Sequence, residues 1–395
     1  TSPNPKYNAR DTAIYLAKIY NAKVILGSAT PSLETFFNAQ QNKYAYVNIS
    51  QRYNNVLMPN IDIIDIKNQP QILSNKSHLS DVLINKISET LKNKKQVIIF
   101  TNRRGFAPIL MCNSCGWILK CKNCDVSLTL HKQQNHFNCH YCGYTINIHK
   151  VCPICNNTEL SLKGFGTEKI QEELISLFPD SKIQRLDLDT VKNKNSLSKI
   201  IHDFETNNIN ILIGTQMVTK GLHFDNIQLV AIINADSLLN FPDLRAHERA
   251  FQLITQVSGR AGRTGEQGTV IIQTSESQNY IFDDIINNNI THFYQTQLNI
   301  RKTFSYPPFS KLILISLKHS DTNILDHAAI SLASRLRLYN NFHQILGPEY
   351  NIIPKIKNLF IKNILIKITD YSQLKNLKKI ISIETQKIIL NKSYK

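Results

Sequence analysis

Eight cysteines fall in four Cys-x-x-Cys pairs, Cys112/Cys115, Cys121/Cys124, Cys139/Cys142 and Cys152/Cys155, and no cysteine lies elsewhere in the 395 residues. Each pair can wrap a short turn around one metal ion, and two pairs complete a tetrahedral four-thiolate site. Zinc suits that donor set, because it needs no redox chemistry and favours tetrahedral sulfur. Two Zn2+ ions are therefore expected, in a structural role, since a full set of protein ligands leaves no open position for catalysis. Segments of 5, 14 and 9 residues separate the pairs. Neighbouring pairs could share an ion in order. Alternatively, Cys112, Cys115, Cys152 and Cys155 could hold an outer ion, with Cys121, Cys124, Cys139 and Cys142 around an inner one. The nested arrangement is preferred because it brings together both stems of an inserted module. Gly116 and Gly143 suit knuckle turns in which backbone N–H groups approach sulfur. Trp117, Phe137, Tyr141 and Tyr144 offer packing or stacking surfaces. His131, His136, His140 and His149 read as surface or packing residues.

A second constellation points to phosphate chemistry. In QVSGRAGRTGEQG (256–268), Gly259 and Gly262 let backbone pass close to a phosphate-bearing cleft, and Arg260 and Arg263, three apart, are expected on one helical side facing it. A guanidinium there stabilises charge developing during γ-phosphoryl transfer. GTQMVTKGLHF (214–224) follows another predicted strand. No GxxxxGK[ST] string occurs, and no Asp-Glu-x-His box precedes GSATPSLET at 27–35. Those elements would cradle the β/γ-phosphates and place Mg2+.

Lys plus Arg exceed Asp plus Glu by 46 to 29, a formal charge of +17 that favours a polyanionic partner, though it would also suit an anionic membrane surface. No apolar run of about 20 residues occurs, so a membrane span is not expected. Confinement of every cysteine to a CxxC pair and the lack of a signal-peptide pattern point to reduced metal ligation in the cytoplasm. The length predicts two or three domains. The start at Thr1 reads as a cut or processed segment of a longer protein.

The elements that position these strings follow an α/β rhythm. Residues 9–20 predict a helix and Val24–Leu26 a strand leading into GSATPSLET, with Pro31 in a first helical turn. Strands are expected at 61–66, 96–102, 182–189, 209–216, 228–236 and 268–274, with helices at 77–93 and 167–178. One helix is expected over 282–304, ended by YPP at 306–308. Beyond it the pattern is that of a small α+β domain.

Together these strings resemble the PriA family of primosomal replication-restart helicases, superfamily 2 DNA motors. GSATPSLET matches the third helicase motif, VIIFTNRRGFAP (97–108) the fourth, GFGTEKIQEEL (164–174) an accessory motif, ILIGTQMVTKGLHF (211–224) the fifth and QVSGRAGRTGEQG the sixth. The cysteine pairs stand where that family has a two-zinc insertion, and nested pairing is also what the family implies. The resemblance is strong over 7–310 and weaker beyond.

It implies an α/β fold in four parts: a remnant of the first RecA-like lobe (1–55), a second RecA-like helicase lobe (56–110 and 160–275), the inserted two-zinc Cys-rich module (111–159), and a helical linker with a small α+β C-terminal domain (276–395). Ser28, Ala29 and Thr30, with Gly214, Thr215 and Gly259, would couple nucleotide state to lobe movement. Gln216, Lys220 and Gly221 would link DNA to the ATP cleft, and Arg103 and Arg104 would contact DNA phosphates. Arg260 and Arg263 would meet the nucleotide phosphates, with Gln256 positioning the network. YPPF at 306–309 and Gly347-Pro348 fit the family's C-terminal domain, while ISIETQKI at 381–388 lacks its usual Asp-Pro. ATP and Mg2+ would serve the full-length parent, and this chain alone is expected to be an inefficient ATPase. The implied partners are forked and single-stranded DNA, single-strand-binding protein, and primosome and replicative-helicase-loading proteins. The alternative is a catalytically inactive zinc-containing DNA-binding scaffold.

Overall fold

The computed structural model describes residues 7–49, 57–69, 77–101, 109–131, 136–147, 151–163, 166–187, 190–191, 194–219, 224–262, 267–339, 343–391 and 394. Its largest unit is a six-stranded parallel sheet. The order runs from Asn60–Asp65 through Thr269–Thr274, Ile227–Ile233, Gln96–Thr101 and Ile211–Gly214 to Ile183–Leu186. The central strands are continuous apolar runs because helices cover both faces. Along Gln96–Thr101 the side chains alternate: Val97 and Ile99 pack with Leu83, Ile87, Ile170 and Leu174, whereas Ile98 and Phe100 join the opposite core around Phe204 and Phe251. The helix Asp81–Lys92 begins where the Ser80 hydroxyl accepts the Leu83 N–H at 3.2 Å.

The opposite core also takes in Leu33 and Phe36 from the helix Leu33–Gln40, and Phe293, Tyr294 and Leu298 from Ile290–Thr303. Phe251 stacks on Phe293 with ring centroids 4.0 Å apart. The segment that follows the SAT string therefore belongs physically to the core of this sheet.

Three local expectations are corrected. Val24–Leu26 forms no strand, and Ile25 is 95% exposed, because no described strand lies beside it to bond its backbone. Pro31 precedes the helix instead of opening it, since Ser32 is the N-cap, its hydroxyl accepting the Thr35 N–H at 3.3 Å. The helix expected over 282–304 is two, Tyr280–Ile286 and Ile290–Thr303. Asn288 takes φ 50° between them, and Asn289 caps the second by accepting the His292 N–H.

The cysteine segment projects on a ribbon in which Ile109–Cys112 pairs antiparallel with Leu160–Lys163. It carries a meander of Thr129–His131, His136–Asn138 and Thr145–Asn147. At the C-terminal end, Leu359–Ile368 lies between Lys311–His319 and His343–Ile356 in an antiparallel sheet. Helices Thr322–Arg337 and Leu374–Leu390 share its core through Leu332, Leu336, Leu377 and Ile388. Gly347, at φ 89°, marks a register shift. A Cβ there would sit 2.7 Å from the Asn363 carbonyl oxygen, so the site demands glycine. Among the described residues no helix is long and apolar enough to cross a membrane.

Candidate nucleotide-coupling site and metal centre

The helix Ala246–Ser258 presents Glu248, Gln252 and Gln256, spaced four apart, on one face. Each meets the SAT segment. Gln256 Nε2 donates to Thr30 Oγ1 at 3.0 Å, and Gln252 Nε2 lies 3.4 and 3.3 Å from the Thr30 and Pro31 carbonyls. Glu248 Oε1 accepts the Leu33 N–H at 2.9 Å, satisfying a donor in the first turn of the following helix. Thr30 is buried, while Ser28 and Ala29 are exposed, with the Ser28 hydroxyl accepting the Thr30 N–H at 3.1 Å.

Below this row lies a buried charge cluster. Arg301 donates to Glu248 at 2.7 Å, to Glu34 at 3.3 Å and to the Pro307 carbonyl at 3.1 Å. Arg245 bonds Glu34 and reaches Glu248 at 3.2 Å. Burial pushes the Glu34 carboxyl up, but the hydrogen bond and charge of Arg245, with Arg301 beyond, outweigh it and hold the group below its ordinary value. Tyr294 closes the cluster by donating to the Pro31 carbonyl, and its phenol is raised by burial and by the charge of Glu248.

Gly214 ends a central strand, where a Cβ would fall 2.2 Å from Val218 Cγ1 and 3.2 Å from the Leu186 carbonyl. The buried Thr215 follows, and Gln216 opens a 3-10 turn over Gln216–Thr219. The long helix stops at Ser258, with Gly259 as its cap at φ −64°, so Arg260 lies beyond the helical segment. Arg260 is half-buried, and Gly262 at φ 63° sends its N–H to the Ile227 carbonyl at 2.9 Å. Arg103, Arg104, Lys220, Gly221 and Arg263 lie outside the described residues.

The cysteine sulfurs gather in nested sets, Cys112, Cys115, Cys152 and Cys155 in one and Cys121, Cys124, Cys139 and Cys142 in the other. Within each set all ligand atoms lie within 4.8 Å of one another. Four sulfurs at this spacing, with backbone N–H groups directed at them, fit tetrahedral zinc. N–H donation from Cys115 brings the Cys112 thiol down to about 7, whereas burial pushes Cys121 up to about 12. Metal binding would displace the proton in either case. Among the described residues these sets contain no histidine; His140 instead meets Thr129 Oγ1 at 2.9 Å. Phe137 is fully buried in the inner cluster's core, Trp117 and Tyr144 pack partly against it, and Tyr141 is exposed.

The PriA DNA helicase Cys-rich region domain matches residues 121–146, the helicase conserved C-terminal domain matches 140–265, and the primosomal protein N C-terminal domain matches 302–392. Replication restart protein PriA of Rickettsia felis is 42% identical over 364 residues, 91% of this chain and 55% of that protein. The chain belongs to the PriA family. The PriA of Bacillus subtilis is 35% identical over 376 residues, 95% of this chain and 47% of its own length. That of Haemophilus influenzae is 41% identical over 318 residues, 80% of this chain and 43% of its own. The chain thus spans about half the length of the PriA relatives it matches, with a RecA-like helicase domain, a Cys-rich insert and the family's C-terminal domain.

Sequence reading missed the Glu34, Arg245, Glu248 and Arg301 cluster. Glu34 stands inside the quoted GSATPSLET string, and Glu248, Gln252 and Gln256 keep helical spacing, which was a usable signal. Arg301 carries none, because its partners are 53 and 267 residues away.

Proposed function

We propose that this chain forms the second motor lobe, metal module and C-terminal domain of an ATP-dependent 3′→5′ DNA helicase that recognises stalled or branched replication forks and promotes primosome assembly and restart. The observation that carries the reading is the row joining Gln256 and Gln252 to Thr30 and Pro31. It links a string suited to phosphate contact directly to the segment that would join the two lobes. Of residues 1–55, the stretch before Leu33 then belongs to the end of a first RecA-like lobe, while Leu33 and Phe36 already pack into the core of the second. In support, the helix Ala9–Ile19 buries no residue, and Tyr15, Ile19, Tyr20 and Ile25 are exposed, as expected of a surface that packs on something further.

In this reading ATP with Mg2+ supplies the phosphoryl-transfer energy, bound mainly by first-lobe elements. Arg260 and Arg263 approach the phosphates from the second lobe, and Gln256 positions the network. Gly214, Thr215 and Gly259, with Ser28, Ala29 and Thr30, transmit closure. Gln216, Lys220, Gly221, Arg103 and Arg104 contact DNA. The two cysteine clusters hold Zn2+ structurally. The net charge of +17 suits a DNA partner. Single-strand-binding protein and primosome loading proteins are the proposed protein partners.

The test is strand separation by a protein extended upstream through the same reading frame, on forks bearing a 3′ or a 5′ single-stranded arm and on matched RNA. ATP-dependent opening of the DNA fork by translocation along the 3′→5′ strand is expected. Equal opening of RNA, or the opposite polarity, contradicts the assignment.

A further inference from the structure

Three of the four cysteine knuckles close on themselves. The residue after the second cysteine is left-handed, at Gly116 (φ 74°), Gly143 (φ 77°) and Asn156 (φ 56°). Its N–H returns to the first cysteine's carbonyl at 3.0, 2.8 and 3.0 Å respectively. The next residue then aims its own N–H at the second sulfur: Trp117 at Cys115, Tyr144 at Cys142 and Asn157 at Cys155.

The Cys121–Cys124 knuckle departs from this pattern. Asp125 follows it, and the Asp125 N–H goes instead to the Lys355 carbonyl at 2.9 Å. The Val126 N–H turns to the carbonyl of Cys124, also at 2.9 Å, leaving the sulfur without its usual donor two residues on. That sulfur is met from the C-terminal domain: the Lys357 N–H donates to Cys124 Sγ at 3.2 Å, across 233 residues of chain. The Asn358 N–H adds a bond to the Asn123 carbonyl at 2.8 Å, and Ile356 packs against the core around Cys121 and Cys124. Lys357 and Asn358, at φ 53° and 62°, are the two-residue turn between paired Ile356 and Leu359. Both positive angles are those of a type I′ hairpin, so the turn is rigid and presents its N–H groups outward.

We infer that the Lys355–Asn358 hairpin completes the inner metal site, supplying the sulfur-directed N–H that the Cys121–Cys124 knuckle does not make for itself. The inner ion and the docking of the C-terminal domain on the insertion are then thermodynamically linked: each strengthens the other by the same factor. A ligand that pulls the hairpin away loosens the inner ion, and loss of that ion frees the hairpin. The outer ion, whose knuckles are self-contained, is indifferent to both. This rests on reading the two clusters as zinc sites.

The experiment is zinc release from the intact chain into a chromophoric chelator, with total zinc counted first. Fewer than two ions per chain would defeat the zinc reading itself. With two ions bound, Lys357→Pro removes the donor N–H and, because proline cannot take the φ 53° of this turn, also opens the hairpin, so release of the inner ion should accelerate about 10- to 100-fold, the range in which losing an outer-shell partner weakens metal binding. Release of the outer ion should not change. Should that variant unfold the C-terminal domain, the hairpin is also removed and the same selective acceleration is required. Adding Asp125→Gly, which gives the fourth knuckle the backbone freedom of the others, should restore slow release. The reciprocal measurement is hydrogen exchange at Lys357 and Asn358. Cys139→Ser, which removes an inner ligand not touching the hairpin, should speed it, and Cys155→Ser should not. Equal acceleration of both ions, unchanged inner release, or exchange identical in the two cysteine variants overturns the inference.

Discussion

Gln256 Nε2 donates to Thr30 Oγ1 at 3.0 Å, joining two strings 226 residues apart in the chain. Thr30 is 5% exposed, so the bond is largely shielded from water. Beside it Gln252 holds the adjoining carbonyls. If this row transmits closure, Gln256→Ala in the upstream-extended protein should lower DNA-stimulated ATP turnover about fivefold, the rate equivalent of one hydrogen bond worth about 1 kcal/mol. DNA affinity should hold. Unchanged turnover would remove Gln256 from the coupling path.

The cluster beneath this row predicts a stability effect. Arg301 is 2% exposed and Glu248 3%, and Arg301→Ala would leave that carboxylate with the half-buried Arg245 as its one cationic partner, beside the Leu33 N–H. The expected loss is about 3–5 kcal/mol, read as a shift of the denaturant midpoint. A loss near zero would mean that water enters and replaces the guanidinium.

Acid should weaken the same cluster. Glu34 ionises more readily folded than unfolded, so its contribution is fully present above the ordinary value of 4.5 and disappears as pH falls through the depressed folded value. The wild-type chain should lose more stability than Glu34→Gln between about pH 6 and about pH 3.5. Parallel losses in the two proteins would contradict the ion-pair account.

The two metal sites should differ in accessibility. Cys115 and Cys155 of the outer set are exposed, whereas Cys121, Cys124 and Cys139 of the inner set are buried. A chelator should therefore take the outer ion first, and Cys155→Ser should retain one zinc instead of two. Two ions retained by that variant, measured by elemental analysis, would reject Cys155 as a ligand.

These predictions rest on features of unequal visibility in the sequence. Strands such as QVIIFT and ILIG were legible because both sides are covered, leaving continuous apolar runs. The cysteine spacing announced metal sites, since thiolate pairs have few other uses in that pattern. Val24–Leu26 misled because apolar character marks a strand only when a neighbour bonds its backbone. The Asn run at 287–289 reads as a surface loop, as it is, but the apolar periodicity on either side of it also reads as one helix, so the break into two stayed hidden. Neither Arg301 nor the Lys357 N–H could be found from local pattern. The first is a basic residue with distant partners, and the second acts through its backbone.

The central claim is that these residues form the second half of a motor. The most direct measurement is DNA-stimulated ATP hydrolysis by this 395-residue chain beside a version extended upstream through the reading frame, with zinc counted in both. Turnover confined to the extended protein, with two zinc ions in each, is the result predicted. Equal turnover by the chain alone, or none in a folded and zinc-loaded extended protein, would contradict it, and the latter would leave a DNA-binding scaffold.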